Sequence, residues 1–126
     1  MLKNLVLANL LASAAHFAHN AAYFDAYPEP AWIPGPWFIV VVWLVVAPVL
    51  VMGYYWHRQG KPRRALAAVV AYCASGLLVF GHYLYGSPRE LDFLTNFLIV
   101  LEGAAALVLL GYFLAVARRD SMTSAV

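Results

Sequence analysis

From Trp37 to Trp56 the chain carries no charged side chain, and Trp37 at one end and Tyr54, Tyr55 and Trp56 at the other frame the run with aromatics. About 20 apolar residues in a helix cross the hydrocarbon core of a bilayer, and Trp and Tyr settle at its two surfaces. This stretch therefore reads as a membrane span, with Pro48 in its interior predicting a kink. The remainder has the same character: of 126 residues, 64% are apolar and 11% charged, and the mean hydropathy is +0.75. Such a composition lies outside the range of soluble domains.

The length allows one domain of about four helices. The spans are expected at about 2–24, 37–56, 65–85 and 93–117, giving an all-α, left-handed four-helix transmembrane bundle as one domain over 1–126. Lys3 followed by apolar and small residues also has the look of a secretory signal peptide, but the apolar character and the polar pattern both continue past the would-be cleavage site. Asp25 to Pro36 is a turn-rich connector, because its prolines lack backbone donors and push their neighbours toward extended conformations. In Gly86 to Asp92, Ser87 or Asp92 stands where a helix start needs a cap. The tail after Asp120 is expected to be disordered. Cys73 has no partner within the chain, which excludes an internal disulfide and a Cys-rich metal site.

The net charge of +2 matters less than where the charges fall. Lys3, Arg58, Lys61, Arg63, Arg64, Arg118 and Arg119 lie on one side of the expected spans and Arg89 alone on the other. By the positive-inside rule both termini are cytoplasmic and the Asp25–Pro36 and Gly86–Asp92 loops face outward. The expected location is the bacterial inner membrane.

Within the first span, Asn9, Ser13, His16, His19, Asn20 and Tyr23 fall on one arc of about 120° at 100° per residue, leaving the leucines mostly outside it. On the third span Tyr72, Ser75, His82 and Tyr83 share an arc, and on the fourth Thr95 and Glu102 do. At about 1.5 Å per residue, His16, His19, His82, Asn96 and Glu102 all sit in the outward half of their helices, Glu102 deepest at roughly 15 Å. An ionisable group at that depth needs protonation or a partner, and an intramembrane one is by default a candidate functional group. The partner expected for Glu102 is His16 first and His82 second.

Three readings follow. In the first, a small lipophilic ligand enters a polar pocket formed by helices one, three and four. Glu102 and His16 act on it as acid and base, and His19, Asn20, Tyr23, Tyr72, His82 and Asn96 line the site. In the second, His16, His19, His82 and Glu102 bind a transition metal, three imidazoles with a carboxylate suiting zinc, iron or copper. In the third, the protein is a non-catalytic assembly subunit whose polar core fixes helix pairing, Glu102 being a neutral acid bonded to Asn20 or Tyr72, with Gly103 to Ala106 admitting a close neighbour. His57 adjoins the basic loop and is expected to be solvated. Trp32, Trp37 and Trp43 are expected to anchor at the interface or pack.

The run His16-Phe-Ala-His-Asn-Ala-Ala-Tyr-Phe-Asp-Ala-Tyr-Pro-Glu-Pro-Ala-Trp-Ile33, with Gly81-His-Tyr-Leu-Tyr-Gly-Ser-Pro-Arg-Glu90, is similar to small bacterial four-helix membrane proteins of uncharacterised function. The layout also resembles the EXPERA group, which includes the emopamil-binding sterol isomerase and the sigma-2 receptor: a Tyr-Pro in the first outer loop, a Pro-Ala-Trp before span two, a proline within span two and a short loop before span four. The resemblance implies a pocket for sterol-like or cationic amphiphilic molecules. It does not carry sterol isomerisation, because the histidine and glutamate of the isomerase's second span have no counterpart here, and Asp25 falls in or beside the loop. The expected partners are a lipophilic small molecule or lipid and the membrane itself, with no nucleic acid. A homodimer is a further expectation, since so short a chain exposes much of its surface to lipid.

Overall fold

The computed structural model describes the backbone of residues 1–123 and side chains through residue 116. The side chains of Arg118, Arg119 and Asp120, and the tail residues 124–126, lie outside the described part. Every regular element among the described residues is helical. Helix α1 is Leu2–Ala22 and is followed by a single 3₁₀ turn, Phe24–Ala26. Helix α2 is Pro36–Arg58. Helix α3 starts at Pro62, turns 3₁₀ over Leu78–Gly81 and finishes with the short α-helical piece His82–Tyr85. Helix α4 is Phe93–Thr123.

Three of these are long and apolar enough to cross a membrane: Pro36–Arg58, Pro62–Tyr85 and the Phe93–Val116 part of α4. Helix α1 has 21 residues, but its Lys, Asn, Ser and His side chains lower its hydropathy and it does not qualify by composition. Helices α2 and α3 both begin with proline, which is tolerated in the first turn because that N–H has no helical acceptor. The α3 start is therefore earlier than the expected residue 65. Helix α4 runs past the expected end near residue 117, since no proline or glycine interrupts the sequence after Gly111. Helix α2 continues through Pro48, which cannot donate to the Leu44 carbonyl.

Neighbouring helices close a ring: α1 packs on α2, α2 on α3, α3 on α4 and α4 back on α1. The approaches are close where small residues allow it. A Cβ on Gly53 would stand 3.2 Å from Ala68 and Val69 across the α2–α3 contact, and one on Gly76 would stand 3.1 Å from Ala106 across α3–α4. Gly103 leaves the space that the Phe80 ring fills.

The ring encloses two different interiors. Toward the lower end, where the Arg58–Pro62 turn lies, the core is apolar: Leu2, Val6, Leu50, Val69, Cys73, Leu109 and Phe113 pack together. His57 is half-buried there, edge-on to Phe113 with 5.6 Å between ring centres, and not simply solvated. Toward the upper end, where the two longer loops lie, the buried side chains include Ser13, His16, Asn20, Thr95 and Glu102. Helix α1 is thus turned inside out relative to a soluble protein. Asn9, Ser13, His16 and Asn20 of its polar stripe are buried, whereas Leu7 and Leu11 are exposed.

Asp92 starts α4. Its carboxylate accepts the backbone N–H of Leu94 at 2.8 Å and of Thr95 at 3.0 Å, and the Thr95 hydroxyl at 2.5 Å. These donors, the Thr95 hydroxyl foremost, hold the Asp92 carboxyl below the usual carboxylate range. A folded-state value below the unfolded one gives stabilisation that is complete above the unfolded value and is lost as pH falls through the folded one. Thermal unfolding in detergent is therefore expected to show Asp92→Ala less stable than the parent at neutral pH, with the difference shrinking as pH is lowered below about 4. A difference that stays constant down to low pH would remove the carboxylate from this role.

Candidate functional site

The polar upper interior is built from all four long-range pieces of the chain that can reach it. Successive turns of α1 deliver His16, His19 and Asn20, positions three or four apart being neighbours on one helix face. Helix α4 delivers Glu102, and the piece of α3 beyond its 3₁₀ turn delivers His82. The fourth contributor is the first loop, which folds inward: Tyr27 is buried and the Glu29 side chain is only 9% exposed.

The centre is His16 with Glu102. Their Nδ1 and Oε2 atoms are 2.5 Å apart, and the two side chains are 4% and 5% exposed. A contact of this length is a hydrogen bond between the ring nitrogen and the carboxyl oxygen, each of which would otherwise be buried without a partner. Around the His16 ring stand His82 at 5.5 Å and Tyr27 at 5.4 Å between ring centres. The Tyr27 hydroxyl is hydrogen-bonded to His19 Nδ1 at 3.0 Å. Burial holds the Tyr27 phenol well above its ordinary range, so it remains a neutral hydroxyl.

Above the dyad, Asn20 Nδ2 donates to Glu29 Oε1 at 2.7 Å. His82 Nδ1 donates to the Pro28 carbonyl at 3.4 Å and stands 3.6 Å from the same Glu29 oxygen. Pro28 and Pro30 restrict the backbone on both sides of Glu29, which presents its carboxylate to Asn20 and His82. Gly86 makes room for this loop, since a Cβ there would lie 2.8 Å from the Pro28 side chain. The first loop is accordingly a fitted cover over the dyad.

The residues singled out from sequence separate into groups. His16, His19, Asn20, His82 and Glu102 share this cluster. Tyr72 is buried lower down and donates its hydroxyl to the Asn9 carbonyl at 3.2 Å, tying α3 to α1 across the ring. Asn96 accepts from the Tyr83 hydroxyl at 3.0 Å and donates to the Pro88 and Leu91 carbonyls, holding the second loop. Tyr23 is 60% exposed and lies against the His19 ring at 4.6 Å. Among the described residues, no three His, Cys, Asp or Glu side chains are arranged to hold a metal ion. In particular His19 turns its Nδ1 to Tyr27.

Sequence reasoning passed over Glu29 and Tyr27, because no periodicity marks a loop residue that folds inward. The usable signal was the Pro-Glu-Pro run, which restrains a carboxylate close to the end of a polar-striped helix. The polar side chains come from helices one, three and four and from the first loop, and they pack on one another. An open apolar groove of about 430 Å³ lies instead between α1 and α2, lined by Leu10, Trp43, Leu44, Ala47, Pro48, Val51 and Met52.

The chain matches no protein-family model, no curated protein and no solved structure.

Removing one member of a buried, hydrogen-bonded ion pair costs about 3–5 kcal/mol, while replacing both with apolar groups can be close to neutral. His16→Leu and Glu102→Leu are each expected to lower stability by about that amount, and the double variant to recover most of the loss. Chemical denaturation of the four proteins in one detergent closes this cycle; additive losses would show that the two side chains do not act as a pair.

Proposed function

We propose that the protein is a four-span integral membrane protein whose upper, outward-facing half uses His16 and Glu102 as an intramembrane acid and base acting on a small lipophilic molecule. The observation that carries this reading is the buried Nδ1 to Oε2 contact of 2.5 Å. A carboxylate and an imidazole joined in this way pass a proton between them with little rearrangement, and each tunes the other as donor and acceptor. A carboxyl group and three imidazoles so far from the basic turn are also more ionisable groups than a bundle of this size needs for helix pairing. The loop cover around Tyr27 and Glu29 keeps bulk water from the dyad, which strengthens its electrostatics.

An almost wholly apolar groove between α1 and α2 has the volume of an ordinary small-molecule site, although neither His16 nor Glu102 lines it. The resemblance of loops and proline placement to the EXPERA group points to the same ligand class. Helix α1 completes four crossings in this reading, its polar stripe being shielded by the ring.

The orientation follows the basic residues, with the Arg58–Arg64 turn inside and Asp25–Pro36 and Gly86–Asp92 outside. Cys73, the only cysteine, is buried and does not compete for a labelling reagent. In intact cells a membrane-impermeant maleimide is expected to label Ser87→Cys but not Gln59→Cys, and to label both after permeabilisation. The opposite pattern would invert the topology.

Glu102→Gln tests the chemistry. The amide keeps a hydrogen-bonding group of the same shape but cannot exchange a proton near neutral pH. The variant is expected to fold and to lose the contribution of the buried carboxyl group from the infrared spectrum. Native mass spectrometry of gently extracted parent protein is expected to show a copurifying lipophile, reduced in the variant. A parent with the same carboxyl bands, or the same lipophile complement, as Glu102→Gln would overturn the proposal.

A further inference from the structure

Two polar atoms in the cluster are buried and have no protein partner: His16 Nε2 and Asn20 Oδ1. They belong to residues one turn apart on the same face of α1, whose Cβ atoms such spacing brings to about 5–6 Å. Each of these side chains is already fixed by its other end. His16 Nδ1 is engaged with Glu102, and Asn20 Nδ2 donates to Glu29. Because an ionised carboxylate only accepts, the Asn20 amide must present its carbonyl, not its NH₂, to the unpartnered side. Leaving such groups dry would cost about 1–3 kcal/mol each.

The chemistry of a common partner is narrowly defined. It must donate to Asn20 Oδ1, which can only accept. Toward His16 Nε2 it must donate when that nitrogen is bare and accept when that nitrogen carries a proton. A hydroxyl group does both by rotation. A carboxylate cannot serve Asn20, and an ammonium cannot serve a protonated Nε2.

We infer that His16 Nε2 and Asn20 Oδ1 form a hydroxyl-binding site, which rests on the acid–base reading of the dyad and narrows the ligand to one bearing an O–H group. The hydroxyl comes from one of two sources, an internal water or a lipophilic alcohol admitted when residues 27–29 lift. In the second case His16 Nε2 is the atom that exchanges a proton with the ligand, and Glu102 is the reservoir behind it. Asn20 is the positioning residue that holds the oxygen in place. Glu29 sets Asn20 in turn, linking the loop cover to the recognition group.

The test is nitrogen-15 NMR of histidine-labelled protein in lipid nanodiscs, with the His16 signals identified by their loss in His16→Gln. The probe is 1-decanol, with n-decane as the control. The expected result is a hydrogen-bonded Nε2 resonance that shows one of two signatures. Exchange with solvent protons and indifference to decanol identify the water; a saturable shift with decanol but not decane identifies the alcohol. Either signature is expected to weaken at least tenfold in Asn20→Leu, and the measurements on the parent protein stand even where that variant does not fold. A non-hydrogen-bonded Nε2 that responds to neither, or an equal response in Asn20→Leu, overturns the site. The dyad is judged separately on Nδ1, whose signal must move in Glu102→Gln. An unmoved Nδ1 rejects the acid–base reading, while a failed Nε2 arm with a moved Nδ1 rejects the hydroxyl site alone.

Discussion

The fold is organised around the cost of keeping an imidazole and a carboxyl group away from water. A lone ionised carboxylate deep in a low-dielectric interior is far more expensive than the few kcal/mol by which a domain of this size is stable. The 2.5 Å contact between His16 and Glu102 offsets that cost, and only a helix pairing that holds α1 against α4 in one register preserves it. One turn of slip, about 5.4 Å, would strand both groups. The dyad therefore selects the register that the apolar contacts, being interchangeable, do not.

The rest of the upper interior follows from the same constraint. The polar stripe of α1 has to face inward, which leaves Leu7 and Leu11 on the outside of the bundle. The bundle end has to be closed, and the prolines around Glu29 restrict the loop that closes it, so less entropy is lost when it docks. The 3₁₀ turn at Leu78–Gly81 changes the winding of α3 just before His82, at the level where the helix meets the docked loop. Below this level the core is an ordinary apolar one, with small residues at Gly53 and Gly76 setting the helix spacing.

Much of this is legible in the residues. The uncharged run from Trp37, the one-sided placement of the basic residues and the single polar arc on α1 are each local patterns, and they lead to a helical membrane bundle with a polar half. The pairing of Glu102 with His16 was reachable from depth and face alone, because both quantities follow from helix geometry. What stays hidden is whatever depends on meetings between distant segments. Glu29 reaches the cluster because Pro28 fits against Gly86, a contact between two loops that no periodicity encodes. Tyr72 and Asn96 have the right chemistry for a site, but they are engaged with backbone carbonyls that cannot be counted before the helices are placed. The winding change in α3 is equally silent, since Leu-Val-Phe-Gly contains no helix breaker except its final glycine.

The division between a polar upper half and a dry lower half has an electrical consequence. Were the upper end to face outward, as proposed, a proton travelling from the loop to Glu102 would cross about half of the membrane thickness and none of the remainder. A full crossing is worth about 2.3 kcal/mol per 100 mV, so half a crossing biases occupancy of the dyad by about 1 kcal/mol. In that orientation any proton exchanged at the dyad would be coupled to the transmembrane potential, a coupling that the dry lower half of the bundle does not offer.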